Sequence, residues 1–279
     1  MRNYIFYKGK PLNQLLIKDV LYLYEKYGIV VFRSFDINNF KLKKFVDKFT
    51  LKYSNDASRR NKSETHKEIN SVDTGLQPMN LHSEASFSPS WPEILWFYCS
   101  VPPKKYGQTT LCDGEELWKK LSYKTKNFFL KNPLIYKMEI PINVNVRGNL
   151  KKTKWYFDEI GTHDCFIDNK KGIINIKQIR FAVSKNFRGK LSFCNHLISS
   201  ALEMDPTIKS IGILSGTKIP KSILNEVTLV SQNITYMHTW KKNDLIMINN
   251  HRFMHGRTKI VKNDERKILN LQTLKSKFF

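Results

Sequence analysis

The sequence predicts an α+β fold that is mainly β: a closed or double-sheet β structure with flanking helices. Three observations predict it. Many short segments are rich in β-branched and aromatic residues, clusters of turn residues separate these segments, and helical periodicity is concentrated in the N-terminal half. The sequence contains no internal repeat and no clear linker, so we expect a single domain over 1–279.

Helix and strand alternate at the N-terminal end of the chain. Apolar residues recur at intervals of three and four over 12–27, which predicts an amphipathic helix that ends at Gly28. The apolar run 29–32 predicts a buried strand, and helical spacing returns over 38–53. These elements are expected to form a packing unit that carries no site.

A polar segment over 54–75 predicts a loop. Long loops in compact domains are often functional, so we expect a lid near 54–80, with a plain surface insertion as the alternative. Short polar turns predict an insertion near 145–190. The other predicted strands cover 94–99, 136–145, 178–183, 190–195, 234–240, 244–249 and 267–272, and the other predicted helices cover 115–130, 198–204 and 219–231.

Composition indicates a globular, cytoplasmic protein. Hydrophobic residues make up 41% of the 279 residues and aromatic residues 13%, which is too apolar for a disordered chain. The first ten residues lack the apolar core of a signal peptide, and no run approaches the roughly 18 apolar residues of a membrane span. The four cysteines are far apart and form no CxxC motif, which favours reduced thiols and gives no sign of structural zinc.

The chain is strongly basic, with 47 Lys and Arg against 24 Asp and Glu and a net charge of +23. Such a field attracts nucleic acid, anionic membranes or acidic proteins. The lysines are scattered, however, and the chain is also rich in Asn and Ile, as AT-rich coding would produce. We therefore attribute most of the charge to composition and expect neither a nucleic-acid nor a membrane partner.

His82 and Glu84 stand two residues apart after the polar loop. On an extended strand, residues i and i+2 project from the same face, so an imidazole and a carboxylate can occupy adjacent positions on a divalent metal. The segment 249–257 offers a third ligand, His251 or His255. Two histidines and one carboxylate on one face of a metal are typical of non-heme Fe(II) oxygenases. The alternative is an ordinary polar pair at a strand end.

The order and spacing of several motifs resemble the TauD/TfdA family of Fe(II)- and 2-oxoglutarate-dependent dioxygenases over nearly the whole chain. The motifs lie at 28–33, 81–84, 107–113, 255–257 and 266–269. A further segment, 87–92, is most similar to the clavaminate-synthase-like and syringomycin-type amino-acid hydroxylases. The resemblance implies a distorted double-stranded β-helix, which is a relative of the jelly roll.

Residue by residue, the resemblance implies that His82, Glu84 and His255 ligate Fe(II), with His255 preferred over His251. It also implies that Arg266 pairs with a carboxylate of 2-oxoglutarate. This role suits a guanidinium, which can donate two parallel charge-assisted hydrogen bonds to a carboxylate.

Three further positions bear on the cosubstrate site and on the reaction. The resemblance chooses Thr109 over its neighbour Thr110 as the threonine that helps to bind 2-oxoglutarate. Many relatives carry a second arginine where this chain has Asn270. Related halogenases replace the metal-binding carboxylate with a small residue, so Glu84 argues for hydroxylation or desaturation.

The implied reaction uses O2 and 2-oxoglutarate to hydroxylate an unactivated C–H bond of an amino acid or its derivative, with release of succinate and CO2. The substrate is expected to be free or tethered to an acidic carrier protein. Arg147, Phe193 and Asn195 are candidate substrate contacts, for which structural roles are equally compatible. The alternatives are a desaturase or cyclase of the family, or an inactive member that binds nucleic acid or protein through its basic surface.

Overall fold

In a computed structural model of the chain, most strands lie in three sheets, one of seven strands and two of four strands each. The structure describes residues 6–7, 11–54, 66–72, 75–88, 90–141, 164–185, 188–202, 208–262 and 264–279. The prediction of a mainly β, α+β fold is confirmed.

The strands of the described residues are β1 (Phe6–Tyr7), β2 (Ile29–Phe32), β3 (Thr50–Tyr53), β4 (Asn70–Ser71), β5 (Met79–His82), β6 (Ile94–Val101), β7 (Thr109–Asp113), β8 (Leu134–Pro141), β9 (Asp164–Asp168), β10 (Ile173–Arg180), β11 (Val183–Lys185), β12 (Leu191–Phe193), β13 (Ile208–Ile213), β14 (Tyr236–His238), β15 (Leu245–Asn249), β16 (Phe253–Arg257) and β17 (Lys267–Ser276). The α-helices are α1 (Ile17–Tyr27), α2 (Asn39–Val46), α3 (Gly114–Lys120), α4 (Tyr123–Lys131), α5 (Leu197–Leu202) and α6 (Lys221–Ile234).

The major sheet has the order β1-β2-β15-β6-β17-β3, and β4 also pairs with β17. The minor sheet has the order β14-β7-β16-β5, and a third sheet has the order β13-β8-β10-β9. Strands β11 and β12 form a separate hairpin. Strands β1 and β2 pair in parallel, whereas the other pairs are antiparallel. Many neighbouring strands are distant in sequence, as the pattern of short segments predicts.

Alternating side chains divide the apolar residues of the major sheet between two cores. Along β2, Val30 and Phe32 pack outward with residues of α1 and α2, whereas Ile29 and Val31 pack inward. The inward cluster also contains residues of the minor sheet, including Leu111, so it joins the major and minor sheets. A third cluster lies on the other face of the minor sheet and includes residues of the third sheet and of the C-terminal helices.

Two helix predictions are wrong at their ends, for identifiable reasons. The helix predicted over 38–53 ends at Val46, because Thr50–Tyr53 forms β3 and pairs with β17 at the edge of the major sheet. The helix predicted over 115–130 is divided at Ser122, whose hydroxyl accepts the backbone N–H of Thr125 and starts α4.

Parts of the two expected insertions are described. Within the lid predicted near 54–80, residues 55–65 and 73–74 lie outside the described residues, and 70–71 form β4. In the insertion predicted near 145–190, residues 164–180 supply two strands of the third sheet. No helix within the described part of the chain has the length and apolar character needed to cross a bilayer.

Candidate active site

His82, Glu84 and His255 meet where β5 and β16 pair. The strand register places His255 opposite His82, and Glu84 follows β5 by two residues. Glu84 Oε2 lies 3.8 Å from His82 Nε2 and 3.7 Å from His255 Nε2. One ligand atom of each side chain falls within 4.8 Å of the other two. Two segments more than 160 residues apart in the sequence therefore form a single cluster of metal-ligand type.

This cluster fits a divalent metal ion. Metal–ligand bonds of about 2.0–2.2 Å allow two donors on one ion to lie up to about 4 Å apart, which covers both carboxylate–imidazole separations. His82 Nδ1 lies 2.9 Å from the carbonyl oxygen of Asn80. Because a carbonyl only accepts, Nδ1 carries the proton and Nε2 has its lone pair available for a metal. Two imidazoles and one carboxylate form a donor set that suits Fe(II).

A buried asparagine fixes the segment that carries Glu84. Asn250 Oδ1 accepts hydrogen bonds from the Glu84 backbone N–H at 3.0 Å and from the Ser83 hydroxyl at 3.1 Å. Its Nδ2 donates to the carbonyls of Glu84 and Pro92 at 3.0 and 2.8 Å. The side chain of Asn250 thus holds the backbone that follows β5 through both its oxygen and its nitrogen. Sequence analysis missed this residue, although it lies in the same segment as His255.

The Glu84 carboxylate itself is oriented by β17. Gln272 Nε2 donates a hydrogen bond of 3.0 Å to Glu84 Oε1, which leaves Oε2 facing the two histidines. Groups of this kind hold metal ligands in the orientation that binding requires. Sequence analysis also missed Gln272, because nothing in the sequence indicates that this strand residue faces Glu84.

His251, the alternative metal ligand, is placed differently. Its ring packs against Trp91 with centroids 4.1 Å apart and the ring planes tilted by 46°, and it contributes no atom to the cluster of His82, Glu84 and His255. Burial lowers the pKa of His251 to about 4, so the ring is neutral at physiological pH. Its packing against Trp91 indicates a structural role.

The cluster opens into a cleft with about 480 Å³ of empty space, part of which is open to solvent. Residues from both sheets line it: Val72, Met79, His82, Glu84, Phe97, Thr109, His255, Gly256, Arg257, Arg266 and Ile268. Thr109 and Arg266 are therefore in the same cleft as the three candidate ligands, whereas Thr110 is not among its lining residues. Gly256 is required for this close pairing, because a Cβ there would lie 2.5 Å from the Met79 carbonyl oxygen.

Arg266 places a partly buried positive charge in the cleft. Its Nε donates to the carbonyl oxygen of Gly107 at 3.2 Å, and no carboxylate in the described part of the chain forms an ion pair with it. Burial, together with the neighbouring Arg257, lowers the pKa of Arg266 to about 10. The guanidinium therefore remains a cation at neutral pH. Arg257 is held separately by hydrogen bonds to the carbonyls of Gly75 and Gln77.

Thr109 is fixed so that it can donate a hydrogen bond into the cleft. Its hydroxyl oxygen accepts from Trp240 Nε1 at 3.1 Å. Because this contact uses a lone pair of the oxygen, the hydroxyl proton remains available to another acceptor. Thr109 and Arg266 therefore offer hydrogen-bond donors for a carboxylate.

The other residues singled out in the sequence have different surroundings. Arg147 lies outside the described residues. Phe193 is fully buried against Phe129, with ring centroids 5.0 Å apart. Asn195 donates to the Ala182 carbonyl and accepts the Leu197 N–H at the start of α5. Neither Phe193 nor Asn195 lines the cleft.

Asn270 is a buried polar residue on β17 whose side chain has unused hydrogen-bonding groups within the described residues. It is fully buried on β17, two residues before Gln272 and hence on the same face of the strand. Neither polar atom of its side chain has a hydrogen-bond partner in the described part of the chain. The position at which many relatives carry a second arginine therefore retains polar atoms on the face that meets Glu84.

Comparison with known proteins decides the family. Residues 7–272 match the family described as taurine catabolism dioxygenase TauD, TfdA family. The chain belongs to the TauD/TfdA family. Among curated proteins, no sequence matches this chain. The family resemblance noted in the sequence is thus confirmed at the level of the whole family.

Solved structures share the TauD/TfdA fold at low sequence identity. AAD-2 in complex with Mn(II) and N-oxalylglycine has a TM-score of 0.63 at 17% identity, covering 97% of this chain and 93% of that chain. A taurine dioxygenase from Burkholderia xenovorans has a TM-score of 0.64 at 13% identity, covering 96% and 85%. PvcB from Pseudomonas aeruginosa has a TM-score of 0.62 at 12% identity, covering 96% and 84%.

Membership makes this TauD/TfdA protein a 2-oxoglutarate-dependent non-heme iron dioxygenase. The expected cofactors, Fe(II), 2-oxoglutarate and O2, are those of the family, and the cluster of His82, Glu84 and His255 fits the iron. A small-molecule substrate is expected for the family.

Proposed function

We propose that this dioxygenase hydroxylates an unactivated C–H bond of an amino acid or an amino-acid derivative, with release of succinate and CO2. The observation that carries the proposal is the convergence of His82, Glu84 and His255 within 4.8 Å, at a cleft that also contains Thr109 and Arg266. The amino-acid substrate rests on the similarity of segment 87–92 to clavaminate-synthase-like and syringomycin-type hydroxylases.

Each side chain has a defined task in this proposal. His82, Glu84 and His255 would hold Fe(II) on one face, and Gln272 keeps the carboxylate turned toward it. Bound iron, with O2 and 2-oxoglutarate, supplies the oxidising power that no protein side chain has. Arg266 binds a carboxylate of 2-oxoglutarate through charge-assisted hydrogen bonds, and the Thr109 hydroxyl donates another.

The apolar residues of the cleft protect the reaction from water. Val72, Phe97 and Ile268 line it beside the polar groups, and the Phe97 ring lies 5.3 Å from the His255 ring. Excluding water strengthens the interaction between Arg266 and an anion, and it prevents side reactions of the oxidant.

We further propose that 1–279 is one domain with the distorted double-stranded β-helix of its relatives, and that the segment near 54–80 acts as a lid. The pairing of distant strands into two sheets around a shared core supports the fold. The position of β5 at the end of the lid segment supports the lid, because this strand leads directly into His82 and Glu84.

The decisive experiment measures succinate release from 2-oxoglutarate by the purified protein. Succinate is expected only when Fe(II) and O2 are both present. With a panel of amino acids, mass spectrometry should detect a product heavier by one oxygen; a loss of two hydrogens would instead indicate desaturation or cyclisation. Glu84→Ala should abolish hydroxylation, whereas Glu139→Ala, which removes an exposed carboxylate, should not. Full activity of Glu84→Ala would refute the ligand assignment.

The charge of +23 favours two other possibilities. An acidic carrier protein could present a tethered substrate, and activity on that substrate would then fall as salt screens the attraction. An inactive, basic member of the family would instead bind DNA or RNA in a salt-dependent manner and bind no iron. Iron-dependent succinate release excludes the inactive member.

A further inference from the structure

Arg180, at the end of β10, is a half-buried cation that none of the described residues neutralises. Its Nε is buried and has no hydrogen-bond partner, and no ion pair of Arg180 exists within the described residues. Burial lowers the pKa of the guanidinium, and the nearby Tyr136 only partly offsets this effect. A buried charge without a partner is costly and is uncommon unless a ligand supplies that partner.

Two buried polar side chains accompany Arg180 on the same face of the third sheet. Gln178 lies two residues earlier on β10, and its register partner on β8 is Tyr136. The Oε1 atom of Gln178 has no hydrogen-bond partner in the described part of the chain, although the residue is only 3% exposed. The Tyr136 side chain is almost completely buried. A guanidinium, an amide and a phenol thus lie together, although the neighbouring residues of this face belong to an apolar core.

This polar group is connected to the candidate iron ligands by aromatic contacts. The Tyr136 ring lies 6.0 Å from Phe87, Phe87 lies 5.1 Å from His196, and His196 lies 5.0 Å from His82. None of Phe87, Tyr136 and His196 lines the cleft that contains Arg266. The contacts therefore lead away from His82 in a direction separate from the proposed cosubstrate site.

We propose that Arg180, with Gln178 and Tyr136 beside it, binds the carboxylate of the substrate, which is a free amino acid or a similar small acid. This inference rests on the proposed oxygenase function. The guanidinium fork and the Tyr136 hydroxyl supply the hydrogen-bond donors that a carboxylate accepts, whereas the Oε1 of Gln178, unpartnered among the described residues, is an acceptor suited to the ammonium group of the same amino acid. The intervening rings of Phe87 and His196 separate this subsite from the iron ligands. The anionic end of the substrate and the oxidised carbon therefore lie apart.

The subsite distinguishes a free substrate from a tethered one. An amino acid attached to a carrier protein through a thioester has lost its α-carboxylate. A site built around an unpaired arginine offers no favourable charge interaction to that substrate, unless the side chain of the tethered amino acid is acidic. Arg180 thus favours the free acid.

The test compares acids with matched amides. Wild-type protein with Fe(II), O2 and 2-oxoglutarate is supplied with a panel of amino acids, their primary carboxamides and aminosulfonates, and both succinate and oxygenated product are measured. Acids are expected to react, and the amide of the best acid should have a kcat/KM about 10- to 100-fold lower, the effect of losing a charged hydrogen bond. A preference for sulfonates over acids would contradict the carboxylate assignment.

Variants locate the preference at Arg180. Arg180→Gln should raise the KM for the acid about 10- to 100-fold and remove the preference over the amide, and Arg180→Lys should restore part of it. Lys177→Gln is the matched control, because it removes one positive charge from the opposite face of β10. Isothermal titration of the best acid into the Mn(II)-loaded proteins measures the same difference without turnover.

The outcomes separate this inference from the proposed function. The subsite is overturned if Arg180→Gln keeps the preference for the acid, if amides react as well as acids, or if no acid stimulates succinate release. Absence of iron-dependent succinate in every arm contradicts the oxygenase itself. Thermal unfolding of ligand-free Arg180→Met provides a further check. A midpoint no lower than that of wild type agrees with a residue kept for binding, whereas a marked fall indicates a structural role and counts against the subsite.

Discussion

Four arginines of this dioxygenase that are at least partly buried fall into two groups that differ in their partners. Arg252 is bound by Asp113 at 2.6 Å, and Arg33 is bound by Asp244 at 2.6 Å. Arg266 and Arg180 are also at least half-buried, yet neither forms an ion pair within the described residues. The first pair joins distant segments of the fold, whereas Arg266 lies in the cleft with the candidate iron ligands and Arg180 lies at the end of β10.

The difference shows which charges serve the fold and which await a ligand. Burial alone would lower the pKa of Arg252, but hydrogen bonding and charge from Asp113, with the charge of Glu115, raise it instead. Within the described residues no carboxylate forms an ion pair with Arg266, and burial with the nearby Arg257 lowers its pKa to about 10. A cation that the fold leaves unpaired in a cleft is suited to an anion from outside.

The largest predicted effect concerns a paired arginine. Arg252→Gln leaves the buried carboxylate of Asp113 without its cation, and we expect it to lower the free energy of unfolding by about 3–5 kcal/mol. Urea denaturation measures this change. The double variant Arg252→Gln with Asp113→Asn should recover part of the loss. A decrease below about 1 kcal/mol for the single variant would contradict the structural role.

The corresponding change at an unpaired arginine should affect binding and spare the fold. Arg266→Gln removes a charged hydrogen bond to 2-oxoglutarate, which is worth about 1.5–3 kcal/mol and corresponds to roughly 10- to 100-fold in affinity. Its free energy of unfolding without ligand should not decrease. Isothermal titration and urea denaturation measure the two quantities. A variant that unfolds more easily but binds 2-oxoglutarate normally would show that Arg266 stabilises the fold and does not bind the cosubstrate.

The pH dependence of 2-oxoglutarate binding sharpens the assignment. Arg266 is protonated below its pKa of about 10, so its attraction for the cosubstrate is fully present at pH 7 to 9 and is lost as pH rises through 10. The dissociation constant of wild-type protein should therefore be flat and then increase, whereas Arg266→Gln should lack this change. A wild-type curve unaffected up to pH 11 would indicate that Arg266 does not titrate in this range.

The smallest effect is expected for an exposed ion pair. Lys209 and Glu139 lie 3.5 Å apart, with their side chains 53% and 42% exposed. Solvent screens such a pair, so Lys209→Ala should change the free energy of unfolding by less than about 0.5 kcal/mol. A larger decrease of the free energy of unfolding in urea denaturation would show that solvent exposure does not predict how much an ion pair stabilises this protein.

The sequence was informative where function depends on local spacing. His82 and Glu84 lie two residues apart on one strand face, and the family motif distinguishes His255 from His251, a choice that agrees with the cluster in the structure. The contributions of Gln272 and Arg180 could not be predicted in this way. Each depends on which distant strand lies opposite, and no local pattern encodes that pairing.

Predictions of the fold likewise succeeded where local sequence decides the structure and failed where a distant strand does. Apolar runs predicted strands such as β2 and β15, because burial on both faces leaves a continuous apolar segment. The break between α2 and β3 was missed because Thr50–Tyr53 gains its strand conformation from pairing with β17. Local propensity is overridden there by a tertiary contact.

The central claim is tested most directly by Fe(II) binding under anaerobic conditions. Equilibrium dialysis should find one ferrous ion per wild-type chain and the same for His251→Gln, whose ring packs on Trp91. His255→Gln should bind Fe(II) at least about 10- to 100-fold more weakly, because it removes an imidazole from the cluster of three ligands. Unchanged binding by His255→Gln, or loss of binding only in His251→Gln, would contradict the proposed iron site.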